Sequence, residues 1–484
     1  MLEAMRFSSE KKVLFCALVL TGAGWLSGCN RVKPTPPPRL ASREQLTVPP
    51  SHLVFPVEFD FNTIEKLVNE KLKGTFFHQT IALDAKGDSL RLEISRTEHI
   101  RLWWRNKKVR GQFPLRIAGW ATVKKAGITI RNAKPVSTDV IIHIESFTRI
   151  GRDWNLDFNT KIIQIEWRSD PRLQVGPVWI NLRKPIEKVV DSKKQELAAK
   201  LDDELKKVVP LPQIIGDLWQ KMQQPILINR KKIPVYLVYQ PEDITAKILS
   251  TTKTNVLEVR VATHGLLSTS FSAVPDFAAI ALPAKKDTES TSDSLHLHLR
   301  ARIPFSKINQ VLGPEVIKKP LRYEGYEAII KKAEVYATQN NRLAVAVDIR
   351  GDVHGSVYLT GNVAYDTARE RIRVADFGFD VHSEEMLVQS ANWLLHDYVI
   401  DMFKDKLQVD VGPVWRQLPA LISAGIEKGK SGQKINLLID SLAVRPGQFL
   451  VNQDELQMVF EATGKARLEL EDQIFAKKSK KTSK

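Results

Sequence analysis

Apolar and polar residues alternate with a period of two along much of the chain, and this pattern predicts many β-strands. Trp154, Leu156 and Phe158 alternate with polar residues, and the segment 140–147 shows a similar spacing with a more mixed second face. Successive side chains of a strand point to opposite faces of the sheet. The pattern therefore predicts antiparallel sheets with one apolar face and one largely solvated face.

Two longer segments have apolar residues at helical spacing instead, and each predicts an amphipathic helix. The first runs roughly from Pro185 to Val209, and a shorter helical pattern follows it over 214–222. The second covers 387–402, with a shorter pattern over 414–422. The apolar stripe of the first long helix comprises Ile186, Val189, Val190, Leu197, Leu201, Leu205 and Val208, and that of the second Leu387, Ala391, Leu394, Leu395, Tyr398 and Met402.

The order of these elements occurs twice, which predicts a duplication. An alternating strand runs into a short helix at 55–68 and again at 299–312. In each repeat a later strand carries a glycine at the corresponding position, Gly119 in the first and Gly361 in the second. A glycine inside a strand is typical of a bent sheet. We therefore predict an α+β fold of two duplicated modules, each a curled and mainly antiparallel sheet wrapped around a long amphipathic helix.

Two polar segments set the predicted domain boundaries. Residues 30–50 contain six prolines and predict a semi-extended tether. Residues 283–294 are polar and without aromatics, as is typical of a linker. The predicted organisation is a signal peptide (1–28), a Pro-rich tether (29–50), a first module (51–282), a linker (283–294), a second module (295–475) and a basic tail (476–484).

The N-terminus has the features of an export signal. Arg6, Lys11 and Lys12 precede an apolar run over 13–25, which is shorter than the roughly 20 residues that span a bilayer. The order Leu26-Ser27-Gly28-Cys29 then resembles the bacterial lipobox, with a plain signal peptide as the alternative. The resemblance implies cleavage before Cys29, whose nucleophilic sulfur takes a diacylglycerol and whose amine takes an acyl group.

The expected location follows from that signal. In lipoproteins of this kind, an Asp directly after the acylated cysteine resembles a signal for retention in the inner membrane. This chain has Asn30 at that position, so the resemblance favours the outer membrane, with the folded body facing the periplasm. Cys16 lies in the removed segment, which leaves no thiol for a disulfide. The net charge is +17, and five of the lysines lie in residues 477–484. This basic segment is either a solvated tail or a segment attracted to anionic phospholipid. Nucleic acid does not fit this compartment as a partner.

Several short segments resemble one bacterial family in their order along the chain. They are Leu102-Trp103-Trp104, Val109-Arg110-Gly111, 358–361, 391–395 and 461–466. Over residues 51–470 the chain resembles the exported proteins of domain-of-unknown-function family 4403. That family is more remotely similar to the tubular lipid-binding (TULIP) superfamily, whose modules enclose an apolar channel. The resemblance implies a lipid-binding protein without catalytic residues.

A search for catalytic and metal-binding motifs yields no site. His-Glu-x-x-His and Gly-x-Ser-x-Gly are absent, and Ala424 stands where a phosphate loop ending at Lys430 requires glycine. His296 and His298 share a strand face, but no third ligand accompanies them in the sequence. We therefore predict no enzyme activity, no metal and no cofactor beyond the lipid on Cys29 and a bound phospholipid.

The predicted function is binding or transfer of a lipid or other hydrophobic ligand, with membrane lipid as partner. The alternative is a non-catalytic envelope scaffold with solid cores, which binds envelope proteins. Arg105, Lys107, Lys108 and Arg110 are candidates for contact with a lipid phosphate. Core packing is the competing interpretation of the apolar candidates. The candidate lipid-binding residues are Trp103, Trp104, Trp120, Trp154, Leu197, Leu201, Leu394 and Tyr398.

Overall fold

The computed structural model has an α+β fold dominated by antiparallel strands, which confirms the predicted fold class. Cys29, the rest of the predicted signal and the basic tail lie outside the residues that the structure describes. The described residues are 31–82, 87–125, 128–132, 134–175, 178–181, 183–230, 232–249, 253–271, 275, 278–287, 294–323, 326–352, 354–388, 396–427 and 435–470.

The described residues form short and long strands and several helices. The strands are β1 (Arg31–Val32), β2 (Ser51–Asp60), β3 (Thr75–Ala82), β4 (Ser89–Arg96), β5 (Arg101–Arg105), β6 (Lys108–Lys125), β7 (Ile128–Arg131), β8 (Val136–Ile150), β9 (Leu156–Trp167), β10 (Arg172–Val175), β11 (Val178–Asn181), β12 (Ile226–Asn229), β13 (Val235–Leu249), β14 (Val256–Ser270), β15 (Leu295–Pro304), β16 (Pro320–Tyr323), β17 (Tyr326–Thr338), β18 (Arg342–Gly351), β19 (His354–Asp366), β20 (Arg371–Phe379), β21 (Val409–Asp410), β22 (Ile435–Val451) and β23 (Glu455–Leu470). The helices are α1 (Phe61–Lys71), α2 (Arg183–Val208), α3 (Leu211–Met222), α4 (Phe305–Val316), α5 (Val381–Val388), α6 (His396–Lys406) and α7 (Gly412–Glu427).

The chain forms two compact units whose limits differ from the predicted modules. Among the described residues, the large unit comprises those of Thr47–Ala301 and Pro413–Gly447 together with 459–470. Of the residues described, the small unit comprises 31–46 together with those of Arg302–Gly412 and Gln448–Met458. Segments from late in the chain thus complete the large unit, a result of long-range strand pairing that element order does not reveal. The duplication itself stays a prediction.

One sheet of the large unit has the order β3-β4-β6-β8-β9, with β5 and β7 also paired to β6. Its strands alternate as predicted: Leu90, Leu92 and Ile94 are buried, whereas Arg91 and Glu93 are more accessible. Helix α2 packs against β9. Its bounds, Arg183–Val208, confirm the predicted first long helix, and α3 confirms the shorter helix after it.

A second sheet has the order β12-β13-β14-β15-β2-β23-β22 and draws on both ends of the chain. Strand β14 pairs antiparallel with β2 from Val256–Asp60 to Gly265–Ser51. On its other side β14 pairs with β13, whose register shifts between Pro241 and Asp243. A Cβ at Gly265 would lie 2.4 Å from the backbone oxygen of Gln240, so this close approach requires glycine.

The small unit contains a sheet of order β16-β17-β18-β19-β20-β21, with β1 paired parallel to β19. Helix α4 packs on β17, where the Asn309 side chain accepts a hydrogen bond from Val335 N at 2.7 Å and donates to Val335 O at 3.0 Å. The predicted second long helix covers 387–402. Residues 389–395 of it lie outside the described residues, with α5 before them and α6 after them.

The Pro-rich segment, predicted as a semi-extended tether, is bound to the rest of the protein over much of its length. Residues 31–46, which we call the strap, lie along the small unit. Pro37 O accepts a hydrogen bond from the hydroxyl of Tyr336 at 3.2 Å, and Pro38 O accepts one from Thr338 Oγ1 at 2.8 Å. Proline lacks an N–H but keeps its carbonyl acceptor. A segment can therefore be rich in proline and still be bound along its length.

Three histidines lie side by side on neighbouring strands of the large unit. His52 on β2 is opposite His264 on β14 and opposite His296 on β15. The rings of His52 and His264 are stacked, with centroids 4.6 Å apart, and His264 Nδ1 lies 3.0 Å from Asp243 Oδ1. Burial lowers the pKa of His52 below its ordinary value of 6.5, and His264 and His296 lower it further, against the opposing effect of Asp243.

We expect acidification to destabilise the protein through His52. Its protonated form is disfavoured in the folded state, so stability is full above the ordinary pKa and is lost as the pH falls towards the lowered folded pKa. The thermal unfolding midpoint should therefore fall between about pH 7.5 and about pH 5.5. In His52→Phe, which keeps a ring against His264, the fall should be smaller. An equal fall in both proteins would exclude His52 as its source.

Candidate functional site

A cavity of about 250 Å³ lies in the large unit between the inner face of the first sheet and helix α2. Most of the side chains that line it are apolar, and they come from β4, β6, β8, β9 and α2. The lining residues are Leu72, Thr75, Ile94, Phe113, Leu115, Ile142, Ile144, Thr160, Ile162, Leu197, Ala198, Lys200, Leu201 and Glu204.

The cavity has a buried floor and an exposed mouth. Phe113 and Ile142 on the floor are each 6% exposed. Lys200 and Thr75, which also line the cavity, are exposed to solvent and mark its mouth. A ligand that fits this gradient has an apolar part for the floor and a polar part for the mouth.

The spacing along α2 explains why space remains in this position. Near the start of the apolar stripe Ile186 is buried, and near its end Leu205 is buried. Between them Leu197, Ala198 and Leu201 also face the sheet but stay only half-buried, because they face the cavity. The cavity therefore lies beside the part of the helix between these two buried residues.

A carboxylate adjoins the cavity behind this stripe. Asp202 Oδ2 accepts a hydrogen bond from the backbone N–H of Thr160 at 3.3 Å, and Thr160 is a lining residue. Burial raises the pKa of Asp202 above its ordinary value of 3.8, and this effect outweighs the hydrogen bonds from Thr160, which lower it. The charged form of Asp202 therefore costs folding free energy near neutral pH.

We expect Asp202→Asn to stabilise the protein near neutral pH, because an amide oxygen can still accept from Thr160 and carries no charge to desolvate. The sign follows from the raised pKa: the cost of the carboxylate is present above the folded pKa and disappears below the ordinary value of 3.8. Urea unfolding at several pH values measures the difference. The two proteins should converge on acidification; a less stable variant at neutral pH would contradict the assignment.

Ion pairs cover the helix surface beside the mouth. Glu204 pairs with Lys207 at 2.7 Å, and this contact raises the pKa of Lys207. Lys206 Nζ lies 3.4 Å from Asp157 Oδ1. Lys71 Nζ donates to the backbone oxygen of Lys207 at 3.5 Å. The helix surface near the cavity thus carries both cationic and anionic groups, several of them already paired with one another.

Of the predicted lipid-binding residues, Leu197 and Leu201 line the cavity. Trp104 is buried elsewhere, stacked on Phe61 of α1 with ring centroids 5.7 Å apart. Trp103, next to it on β5, is only half-buried. Trp120 stacks under the guanidinium of Arg91 at 4.2 Å. These three tryptophans lie outside the cavity lining.

Trp154 has a structural environment of its own. It is buried, has a positive φ of 68°, and lies between β8 and β9. Its Nε1 donates to Pro283 O at 2.8 Å, and Lys285 N donates to Arg152 O at 3.0 Å. The beginning of the predicted linker is thus bound to the large unit through this turn.

The remaining candidates are spread over the chain. Tyr398 on α6 belongs to the small unit and is 43% exposed. Leu394 and Cys29 lie outside the described residues. Lys108 and Arg110 alternate along β6 with the buried Val109 and pair with Glu145, at 2.6 and 3.1 Å.

The four residues predicted to contact a lipid phosphate all lie outside the lining of this cavity. Successive side chains of a strand point to opposite faces of the sheet. Phe113 and the other odd-numbered residues of β6 point towards the cavity side of the sheet, so Lys108 and Arg110 project from the opposite face. Arg105 and Lys107, at the exposed β5–β6 turn, are likewise absent from the lining. Lys200 is the exposed cation that does line the cavity.

The floor of the cavity contains none of the predicted lipid-binding residues. Ile94, Phe113, Ile142 and Ile144 were not singled out, although each occupies an inward position of an alternating strand. Two features of the sequence indicate these floor residues. One is the alternation along the strands, and the other is the presence of small or flexible apolar residues such as Ala198 in α2.

Neither a metal centre nor a membrane-spanning helix occurs in the described part of the chain. No group of three or more His, Cys, Asp and Glu side chains there is placed to hold a metal ion. None of the helices in the described ranges has both the length and the apolar character to cross a bilayer.

Comparison with known families assigns the chain. Residues 49–470 match the family described as Domain of unknown function (DUF4403). The match covers most of the chain, so the protein belongs to this family, as the resemblance predicted. No curated protein matches the chain.

Solved structures provide more distant likenesses. A lipopolysaccharide binding protein shares 10% identity, with 87% of this chain and 100% of that chain covered, at a TM-score of 0.26. P47 from Clostridium botulinum A2 shares 10% identity over 85% of this chain and 96% of that chain, at a TM-score of 0.21. P47 of Clostridium botulinum E1 shares 9% identity over 85% and 99%, at 0.20. At these TM-scores the likeness assigns no ligand to this chain.

Proposed function

We propose that the protein is a non-catalytic, membrane-anchored lipoprotein that binds or transfers a lipid or another hydrophobic ligand in the bacterial envelope. The observation that supports binding is the apolar cavity between the first sheet and α2. Its floor is buried and its mouth is accessible, so hydrocarbon can enter without unfolding the unit.

The size of the cavity suits part of an acyl chain. Its volume is about 250 Å³, compared with about 150 Å³ for an apolar protein cavity that binds benzene. Each methylene transferred from water to such a site contributes roughly 0.8 kcal/mol. A chain segment of several methylenes therefore supplies enough free energy for binding, and the rest of an amphiphile remains at the mouth.

The polar residues at the mouth favour an amphiphile over a plain hydrocarbon. Among the polar residues that line the cavity, Lys200 and Thr75 are exposed and Glu204 is half-buried. An ammonium group next to an apolar opening can contact a carboxylate or phosphate whose tail is inserted below it. Fatty acids and phospholipids share this chemistry.

The anchor is supported by the sequence. The Leu26-Ser27-Gly28-Cys29 order provides a thiol for diacylglycerol, and Asn30 favours delivery to the outer membrane. Two or more acyl chains on one residue give stable attachment without a spanning helix. In this proposal the attached lipid is structural, and the lipid in the cavity is the exchangeable ligand.

Native mass spectrometry tests the binding proposal. The body, with Cys29→Ala to remove the covalent lipid, is purified from cells without detergent. We expect a folded species with an added mass that disappears on denaturation and is recovered as fatty acid or phospholipid in the organic extract. A clean apo mass in repeated preparations would contradict the proposal and favour a scaffold with a closed core.

A further inference from the structure

We propose that the strap (residues 31–46) places one end of the small unit directly on the lipid bilayer. The proposal rests on the lipid-anchored part of the proposed function, and it concerns the orientation of the anchored protein. Arg31 follows Cys29 by two positions, so its Cα lies within about 8 Å of the acylated residue. The partner of this surface is therefore the membrane itself.

The middle of the strap is bound by charge, an aromatic ring and the backbone. Arg39 pairs with Glu334 at 2.6 Å, and its guanidinium lies 4.1 Å from the ring centroid of Tyr336. Leu40 N donates to Ala337 O at 3.0 Å. Tyr336 is buried, which raises the pKa of its hydroxyl to about 12, so it remains a donor to Pro37 O.

The C-terminal part of the strap is bound as well. Gln453 N donates to Ser42 O at 2.8 Å, and Asn452 Nδ2 donates to Glu44 O at 3.1 Å. Leu46 N donates to Gln457 Oε1 at 2.9 Å. Because this short segment is bound along its length, it holds the anchor at a nearly fixed distance from the small unit, which a flexible tether would not do.

The N-terminal end of the strap defines which part of the small unit faces the bilayer. Strand β1 pairs in parallel with the first two residues of β19, Arg31 with His354 and Val32 with Gly355. Strand β19 is 13 residues long, about 40 Å when extended at roughly 3.3 Å per residue. The unit thus has an end near His354, close to the anchor, and a distant hairpin after Asp366.

Two exposed residues fit a membrane interface at the near end. Val381 begins α5, a helix that packs against β1 and β19, and it is 63% exposed. Lys33 is exposed two residues beyond Arg31. An apolar side chain and a cation so close to an acylated cysteine are placed to meet acyl chains and lipid phosphates.

Depth-dependent quenching tests the orientation. Lipidated mature protein, in which the thiol of Cys29 is blocked by its lipid, is prepared as Val381→Cys or Ala368→Cys. Ala368 is exposed and lies in the distant hairpin, so it is the matched control. Each cysteine is labelled with an environment-sensitive dye and mixed into vesicles of phosphatidylethanolamine and phosphatidylglycerol that carry a spin-labelled lipid.

We expect strong quenching at position 381 and no quenching at position 368. Equal quenching at the two positions, or quenching at 368 alone, would overturn the proposal. Replacing residues 33–46 with a Gly/Ser segment of equal length tests the strap itself. Such a segment has an end-to-end distance of about 20 Å and no fixed direction, so the difference between the two positions should be lost. A difference that persists would show that the strap does not set the orientation.

Other outcomes separate this proposal from the binding proposal. A mature protein that carries no acyl group would overturn the orientation on the membrane, whatever the cavity holds. An empty cavity in the detergent-free preparation would overturn lipid binding, while quenching at position 381 alone would still support the orientation.

Discussion

Replacing Ala198 with Trp is expected to weaken binding of a long-chain fatty acid by roughly 50-fold. Ala198 lines the cavity from α2 and is half-buried there. An indole there displaces about three methylenes of the ligand, each worth roughly 0.8 kcal/mol. The total of about 2.4 kcal/mol corresponds to the stated factor, since 1.4 kcal/mol is tenfold in affinity.

The next residue provides the matched control for this experiment. Ala199 is also on α2 but is exposed to solvent, and it does not line the cavity. Ala199→Trp should bind a fluorescent fatty acid with the affinity of the unchanged protein, while Ala198→Trp should not. Circular dichroism of both variants checks that α2 is intact. Equal affinities would exclude the cavity as the binding site.

Asn69→Ala is expected to lower the free energy of unfolding by about 3 kcal/mol. Asn69 is buried on α1 and binds Ile100 through both side-chain atoms: Nδ2 donates to Ile100 O at 2.8 Å and Oδ1 accepts from Ile100 N at 2.9 Å. Its Oδ1 also accepts from Arg96 at 3.0 Å. The substitution leaves the buried backbone groups of Ile100 without partners, and each costs about 1–3 kcal/mol.

Urea unfolding of the two proteins measures this loss. Glu70→Ala is the control, because Glu70 follows Asn69 on the same helix and is exposed. We expect the control to change the unfolding free energy by less than about 0.5 kcal/mol. A loss of similar size in both variants would show that the contacts between α1 and Ile100 are not its source, and alanine, the strongest helix former, excludes helix propensity as the cause.

Elements with a clear period could be predicted from the sequence. The apolar stripe from Ile186 to Val208 predicted both ends of α2 to within about two residues. Apolar residues at helical spacing share one face only in a helix, so the pattern favours that structure strongly. Strands β6, β8 and β9 followed from alternation for the same reason. Local pattern and final structure agree wherever one face is buried.

The candidate site was predicted only in part, because residue type does not decide which face of a strand a side chain occupies. Trp103 and Trp104 are neighbours, so they must point to opposite faces, and only the latter is fully buried. Trp120 is on the face of β6 that meets Arg91, one residue from the buried Ala121. A shift of one residue in register would exchange these positions.

Long-range pairing explains the other differences. The composition of the strap favours a solvated chain, yet it is bound by residues such as Glu334 and Gln457, which are about 300 or more positions away. The second sheet of the large unit joins β2 to β23 across most of the sequence. No local pattern encodes such contacts, so neither the strap nor the limits of the two units followed from the sequence.

Photo-crosslinking of a bound acyl chain tests the central claim most directly. A fatty acid that carries a diazirine near the end of its chain is added to the Cys29→Ala protein and irradiated, and the labelled peptides are identified by mass spectrometry. The account predicts labels on the floor of the cavity, at Phe113 and Ile142 and on α2 near Leu197. Labels confined to the outer face of the sheet, to the small unit, or absent altogether would contradict it.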